Sequence, residues 1–347
     1  MIISDYIQVY LKTTETCNLN CDHCFTNGRN GAKIFFDPTK SISFLTNLFS
    51  KVKGGRILFH GGEPMLAPLK DMQKVIDHFS DNKRIEFGLQ TNLVYKLTDE
   101  RRAFINKNFP NFGTSWDHNI RFENFQQQLL WEQNVRSLIN DGHYITVMVS
   151  LSRTLLETYS AKDLCYYFAD LGIQHVLFER ITSNGNAVLN PEIQPENKAL
   201  DAWLLQMYED TIQYELYNVI HNMFLDEIAT SYVEREHVAN RCRNCEQSLF
   251  TINADGTIAG CPNSAPTEAW GNINLSIEDN LKSSRRLKTM CCEMTRNPNC
   301  LKCPVSMICN GDCHRLPWQD DVCAAPKSLM IKMKQENKIE DYRKLLW

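Results

Sequence analysis

No apolar run in the 347 residues approaches the roughly 20 that cross a bilayer, so no membrane partner is expected. Met1 to Lys12 carries Asp5 and lacks the cationic-then-apolar order of a secretory signal, and a cytoplasmic protein is expected. Charge of one sign is also scarce: the formal net charge is -4, which argues against a generic nucleic-acid binder. Hydrophobic residues at 43% and charged residues at 22% are ordinary for a globular chain long enough for about two domains.

Cysteine is abundant. Fourteen are present, and disulfides are rare in a reducing compartment, so metal or cluster ligation leads the explanations. Three lie near the start, Cys165 stands alone, and ten fall between Cys242 and Cys323. The first group forms one loop, Cys17-Asn18-Leu19-Asn20-Cys21-Asp22-His23-Cys24. Its spacing can wrap three thiolates around an iron–sulfur cube and leave one corner without a protein ligand. The same spacing also suits a zinc knuckle or three unrelated buried cysteines.

The loop follows a short strand candidate, Ile7–Leu11. Further strands are expected at Arg56–His60, Ile85–Gln90, Phe112–Ser115, Tyr144–Leu151 and His175–Glu179. Helical stretches alternate with them at Ile42–Val52, Leu66–Ser80, Thr98–Asn106, Phe125–Asn140 and Leu155–Leu171. This order predicts an α/β fold with a parallel sheet. Six βα units are too few for a closed eight-stranded barrel and enough for a partial (β/α)6 one. Chemistry in such folds gathers at the carboxyl ends of the strands, where the cysteine loop sits. After the second strand comes His60-Gly61-Gly62-Glu63-Pro64. It reads as a close backbone approach to a ligand with a carboxylate for an ammonium, or as a βα turn ending in a proline at a helix start.

Together the CxxxCxxC loop, the GGEP turn and the six βα units resemble a radical S-adenosylmethionine (SAM) enzyme over residues 5 to about 190. The resemblance implies that Cys17, Cys21 and Cys24 hold a [4Fe–4S] cluster, and that Gly61, Gly62 and Glu63 hold the methionine amino group of SAM. Asn92 in Gln90-Thr91-Asn92, Ser115 in Ser115-Trp116-Asp117, Arg121 as a carboxylate partner and Ser150 resemble the family's looser cofactor contacts. Each also reads as a turn or capping group. Asp117 and Glu179 are the candidate catalytic residues, and the Glu179-Arg180 pair reads as a substrate contact or, by preference, as a pair on a solvated rim. Cys165 reads as a small buried hydrophobe.

Pro195 to Glu236 reads as one or two bridging helices, with Leu200, Trp203, Leu204, Met207, Tyr208 and Ile212 at helical spacing. Thr251 to Ile258 reads as a hairpin turning at Asp255-Gly256 and delivering Cys261 beside Cys242 and Cys245. By spacing, the C-terminal cysteines suit two zincs or two cubanes equally. Their order resembles the SPASM domain, the auxiliary-cluster extension of peptide-modifying radical enzymes. That implies one cluster on Cys242, Cys245, Cys261 and Cys313 and a farther one on Cys300, Cys303, Cys309 and Cys323. Cys291-Cys292 fall outside the pattern. Segments 1–190 (barrel), 191–237 (bridge), 238–325 (SPASM) and 326–347 (a C-terminal helix as lid or brace) are expected.

The resemblance implies SAM and three [4Fe–4S] clusters as cofactors, and a flavodoxin- or ferredoxin-type electron donor. It further implies a 5′-deoxyadenosyl radical that takes hydrogen from a ribosomally made precursor peptide to cross-link or oxidise its side chains. Sulfatase-maturing relatives place an Asp base directly after the cysteine of Gx4C. Here Cys261 is followed by Pro262 and Asn263, which disfavours that alternative unless the base has moved. A zinc-braced binding module without turnover is the reading from another class. No leader-binding module is expected ahead of the first strand, so recognition falls to the barrel mouth, the bridge or a separate protein.

Overall fold

Alternation along the first strand sets up the whole fold. In β1 (Tyr6–Lys12), Ile7, Val9 and Leu11 are fully buried, while Gln8 and Tyr10 line a central cavity. The computed structural model describes residues 3–26, 28–264 and 266–347. Met1 and Ile2 of the expected first segment, and Asn27 and Ala265, lie outside the described residues.

β1 pairs in parallel with β2 (Gly54–His60), and β2 with β3 (Ile85–Leu89). β4 (Asn111–Ser115), β5 (Tyr144–Leu151) and β6 (His175–Arg180) form a second parallel run. A single parallel bridge, Gln90 to Gly113, joins the two runs. The six strands thus curve into a partial barrel with helices outside, as the βα alternation predicts.

The flanks were not foreseen. β7 (His221–Asn222), between the bridging helices, pairs with β6. β8 (Leu249–Ile252) pairs in parallel with β1 and turns antiparallel into β9 (Thr257–Ala259), which pairs with β10 (Gly271–Asn272). The Asp-Gly turn is present, with Gly256 at φ +84°, but its hairpin extends the barrel sheet, giving the order β10-β9-β8-β1-β2-β3.

Two helical stretches divide where periodicity implied one helix, and the bridge forms two helices, within the one or two expected. Leu155–Leu171 divides into Arg153–Thr158 and Ala161–Asp170, because Ser160 caps the second helix in a capping box with Asp163. The bridge divides into Asn197–Gln213 and Met223–Val233. The C-terminal helix breaks at Asn337 (φ +51°), between Lys327–Glu336 and Ile339–Arg343. It acts as a brace: Ser328 Oγ donates to Asp201 at 2.6 Å and Tyr208 Oη to Glu336 at 3.1 Å.

One buried ion pair ties the end of β6 to the cysteine-rich region. Arg180 Nη1 and Nη2 meet Asp312 Oδ2 and Oδ1 at 2.8 and 2.9 Å, and Nη1 also donates to the Ala324 carbonyl at 3.1 Å. Burial opposes the charge on Asp312. Arg180, Arg241 and the Cys313 N–H outweigh it, so the carboxyl titrates below its ordinary value. Removing one partner leaves an uncompensated buried charge. Arg180→Met is therefore expected to cost about 3–5 kcal/mol, read as a lower denaturation midpoint of the cluster-free protein. The double variant with Asp312→Leu is expected to recover most of that loss, and a double variant as unstable as the single one would refute the account.

Candidate functional site

The cysteine loop is held from below by the glycine pair after β2. The Gly62 N–H donates to the Thr14 carbonyl and the Glu63 N–H to the Thr16 carbonyl, both at 2.9 Å. A Cβ at Gly61 would fall onto the Thr14 oxygen, and one at Gly62 onto the Thr16 oxygen. The pair is thus required by close backbone approach, which neither sequence reading had assigned to the cysteine loop itself.

Gly61 and Gly62 line a cavity of about 170 Å³ together with Cys17, Cys21, Cys24, Asn92, Ser115, Arg121 and Ser150. The structure therefore gathers every expected contact of the N-terminal site except one. Glu63 is fully buried and does not line the cavity. Its carboxylate accepts from Met65 N at 2.9 Å, Thr91 Oγ1 at 2.7 Å and Asn92 N at 2.7 Å. Burial still pushes it up to about 7 against those three donors. Three donors occupy three of a carboxylate's roughly four acceptor positions, which fixes Thr91 and Asn92 and leaves capacity for one further donor.

Asn92 in turn supports the thiols. Its Nδ2 donates to Asn18 Oδ1 at 2.8 Å and approaches Cys17 Sγ at 3.4 Å, and Leu19 N approaches the same sulfur at 3.3 Å. Burial, with the charge of Glu63, pushes the Cys17 thiol up to about 11, and burial pushes Cys21 up to about 12. Sulfurs in such surroundings ionise only with a cation in place, and N–H donors aimed at one of them suit an anionic ligand sulfur. Among the described residues no three His, Cys, Asp or Glu groups are drawn together closely enough to hold a single metal ion.

Asp117, a candidate catalytic group, is a brace. It is fully buried and lines neither this cavity nor the larger one beside it. Arg121 Nε holds Oδ2 at 2.5 Å, Ser150 N holds Oδ1 at 2.6 Å, and His23 Nε2 lies 3.4 Å from Oδ2. Burial opposes its ionisation, but Arg121, His23 and Ser150 prevail, so the carboxyl sits below its usual range. His23, inside the cysteine loop, went unread as its partner.

Sharing Phe25, His60, Gln90 and Met148 with the small cavity is one of about 720 Å³, lined by the barrel strands and by Cys245, Cys261 and Cys313. Glu179 lines both, and it is the one carboxylate to do so in either among the described residues. It is not a solvated rim residue: burial raises its pKa, Arg180 lowers it, Asp117 raises it, and the net shift is upward. His60, at the same junction, is pushed down to about 3 by burial and by Lys12.

The C-terminal cysteines fall into two places. Cys242 and Cys245 share a hydrogen bond that draws Cys242 down to about 7 and raises its partner, while Cys261, within electrostatic reach of Cys313, is pushed up to about 12 by burial. Cys300, Cys303, Cys309 and Cys323 all line a separate cavity of about 130 Å³. Cys291 and Cys292 are exposed on the helix Ser284–Met294, and Cys165 is buried in the core. A strap missed by sequence reading, Asn184 to Asn190, closes over the first loop. Asn186 Nδ2 donates to the Cys21 carbonyl at 2.9 Å, Asn190 Nδ2 to the Asp22 carbonyl at 3.1 Å, and Asn184 Nδ2 to the Asn263 carbonyl.

No family model matches the chain. It is 38% identical over 86 residues to an uncharacterised protein of Methanocaldococcus jannaschii, a stretch covering 24% of this chain and 29% of that protein. It is 21% identical over 335 residues to the radical SAM cyclopropyl synthase TigE of Paramaledivibacter caminithermalis, covering 88% and 67% of the two chains. In structure it resembles native anSMEcpe with bound AdoMet and Cp18Cys peptide, with a TM-score of 0.80 at 16% identity over 97% of this chain and 98% of that one. It also resembles Streptococcus suis SuiB bound to precursor peptide SuiA, with a TM-score of 0.66 at 14% identity over 94% and 77%. The fold is that of radical SAM enzymes with a cysteine-rich, SPASM-type C-terminal region.

The strap yields a direct test. Gly185 has φ +54°, and a Cβ there would fall onto the Cys24 carbonyl oxygen and the Phe25 Cα. Gly185→Ala is expected to lose about 1–2 kcal/mol from the left-handed backbone alone, and more from displacing the loop. A thermal melt unchanged from wild type would show that the strap does not bear on Cys24.

Proposed function

We propose that this chain is a radical SAM enzyme that modifies a ribosomally made precursor peptide, joining or oxidising its side chains with loss of two hydrogens. The observation that carries the reading is the shared wall of the two cavities. The small one, with Cys17, Cys21 and Cys24, has Phe25, His60, Gln90, Met148 and Glu179 in common with a space large enough for a peptide segment, which is also lined by Cys245, Cys261 and Cys313. Bound there, a [4Fe–4S] cluster and SAM supply one-electron, hydrogen-abstracting chemistry.

The chain's own residues do the rest. Cys17, Cys21 and Cys24 hold the cluster. Gly61, Gly62, Asn92, Ser115, Arg121 and Ser150 surround SAM, with Glu63 and Asp117 bracing them. Cys242, Cys245, Cys261 and Cys313 hold the nearer auxiliary cluster, and Cys300, Cys303, Cys309 and Cys323 the farther. The barrel walls exclude water from the reacting segment. Of the two hydrogens lost, one would leave as an atom to the adenosyl group of SAM. Glu179 takes the other as a proton, since a carboxylate with raised basicity facing substrate suits a general base. The electron of that second hydrogen would pass to the cluster that Cys242, Cys245, Cys261 and Cys313 would hold. A flavodoxin- or ferredoxin-type donor supplies the electron.

The sulfatase-maturing reading draws support from the likeness to anSMEcpe with its bound Cp18Cys peptide, and meets Pro262-Asn263 where a base is needed. A zinc-braced binding module is separated by metal content: anaerobically purified protein is expected to carry roughly twelve irons per chain, whereas zinc without sulfide would favour the module.

The main test is mass spectrometry of a precursor peptide encoded beside the gene, after incubation with SAM and reductant. A two-hydrogen loss with both side chains retained is expected, and formylglycine or an unmodified peptide would overturn the cross-linking reading. In the same assay Glu179→Gln is expected to keep releasing 5′-deoxyadenosine while modified peptide falls about 100-fold. A proportional fall in both would assign Glu179 to binding instead.

A further inference from the structure

Arg56 lies on β2 and lines the larger cavity. Arg180 and Arg315 line it too, but both are paired, with Asp312 and Glu268 respectively. Arg56 forms no ion pair with any described residue, and its Nε is buried without a hydrogen-bond partner. Its neighbour across the β2–β3 register, Glu86, is exposed, and the arginine turns away from it. The guanidinium lies instead over Gly88, further along β3, where a Cβ would fall 2.6 Å from Nη2 and 2.7 Å from Nε. The bare glycine gives the side chain its seat, directed along the sheet toward the cysteine loop. Gln90, the next residue but one after Gly88, lines both cavities, so the guanidinium stands about 7 Å below their shared wall.

A guanidinium is always charged, and one that lines a cavity with a buried, unpartnered N–H is costly to keep. Its donors form a fixed fork that matches a carboxylate. Glu179, the carboxylate lining the same cavity, forms no ion pair with it. We propose that Arg56 holds a carboxylate of the substrate peptide, from an acidic side chain or from the chain end, within about two residues of the side chain being modified. That spacing follows from the depth of the guanidinium, because an extended peptide advances roughly 3.3 Å per residue. The inference deepens the peptide reading above and rests on it: it adds which feature of the peptide the barrel reads.

The test uses the full chain with clusters reconstituted anaerobically and the precursor peptide encoded beside the gene. The native peptide is compared with one whose acidic side chains near the modified position are changed to amides, and with one amidated at its C-terminus. Arg56→Gln is expected to lower kcat/KM for the native peptide by about 10- to 100-fold, mostly through KM, the range for a lost hydrogen bond to a charged partner. In wild type one of the two altered peptides is expected to show the same fall, which identifies the carboxylate held. With Arg56→Gln that peptide is expected to lose nothing more. Gly88→Ala keeps the arginine but takes its seat, and is expected to raise KM in the same direction, whereas Glu86→Gln is expected to match wild type. Cluster-free Arg56→Gln is expected to melt no lower than cluster-free wild type, since no ion pair is removed. Should that variant not load iron, Gly88→Ala takes its place with the same kinetic expectations. An unchanged KM, losses that multiply between enzyme and peptide, or full turnover of both altered peptides by wild type would overturn the proposal and leave the peptide reading intact. Wild type that modifies no peptide would overturn both.

Discussion

The pairing of Arg180 with Asp312 is the constraint on which the arrangement of sites depends. Glu179 and Arg180, consecutive at the end of β6, both line the two cavities, and Arg180 also reaches the ion pair. Asp312 immediately precedes Cys313 and follows Cys309 by three residues, so a single carboxylate is anchored between one member of each C-terminal quartet. Its Oδ1 also accepts the Cys313 N–H at 2.6 Å. Position along β6 therefore fixes how far the auxiliary thiols stand from the base of the cavity. In low dielectric such a pair is held by geometry as much as by attraction, because either partner alone would be a stranded charge.

The site is organised by pairing buried polar groups. Glu63 accepts from Met65, Thr91 and Asn92; Asn92 passes its donors to Asn18 and the Cys17 sulfur. Asp117 is shared by Arg121, Ser150 and His23. Each network locks a strand-end loop against the cysteine loop, although the buried Nδ1 of His23 has no hydrogen-bond partner. Glu179 is left as the cavity-facing carboxylate, which is why chemistry is assigned to it and support to the others.

Much of this was legible in the sequence because it is local. β-branched runs bounded by turn residues marked all six barrel strands, and the Phe125–Asn140 helix was read to its ends because Asn124 caps it. The resemblance to the SPASM domain sorted the eight C-terminal cysteines into two sets, and the second set lines a cavity of its own. What sequence could not carry depends on distant segments meeting. Glu63 looked like a ligand contact because its motif shows a carboxylate beside glycines, not that Thr91 and Asn92 fold back onto it. Asp117 and Glu179 looked alike, and only the guanidinium of Arg121 separates them. Arg180 showed no sign of a partner 132 positions away.

The parallel pairing of β8 with β1 bears on how the protein can be dissected. Four register pairs, Gln8–Leu249 through Leu11–Ile252, cover a strand that would otherwise bare its backbone amides and carbonyls along one side. Cutting away the cysteine-rich third would therefore not liberate a self-sufficient barrel. It would leave a raw, apolar selvage beside the first motif, inviting self-association between copies, so the two parts are best regarded as one folding entity.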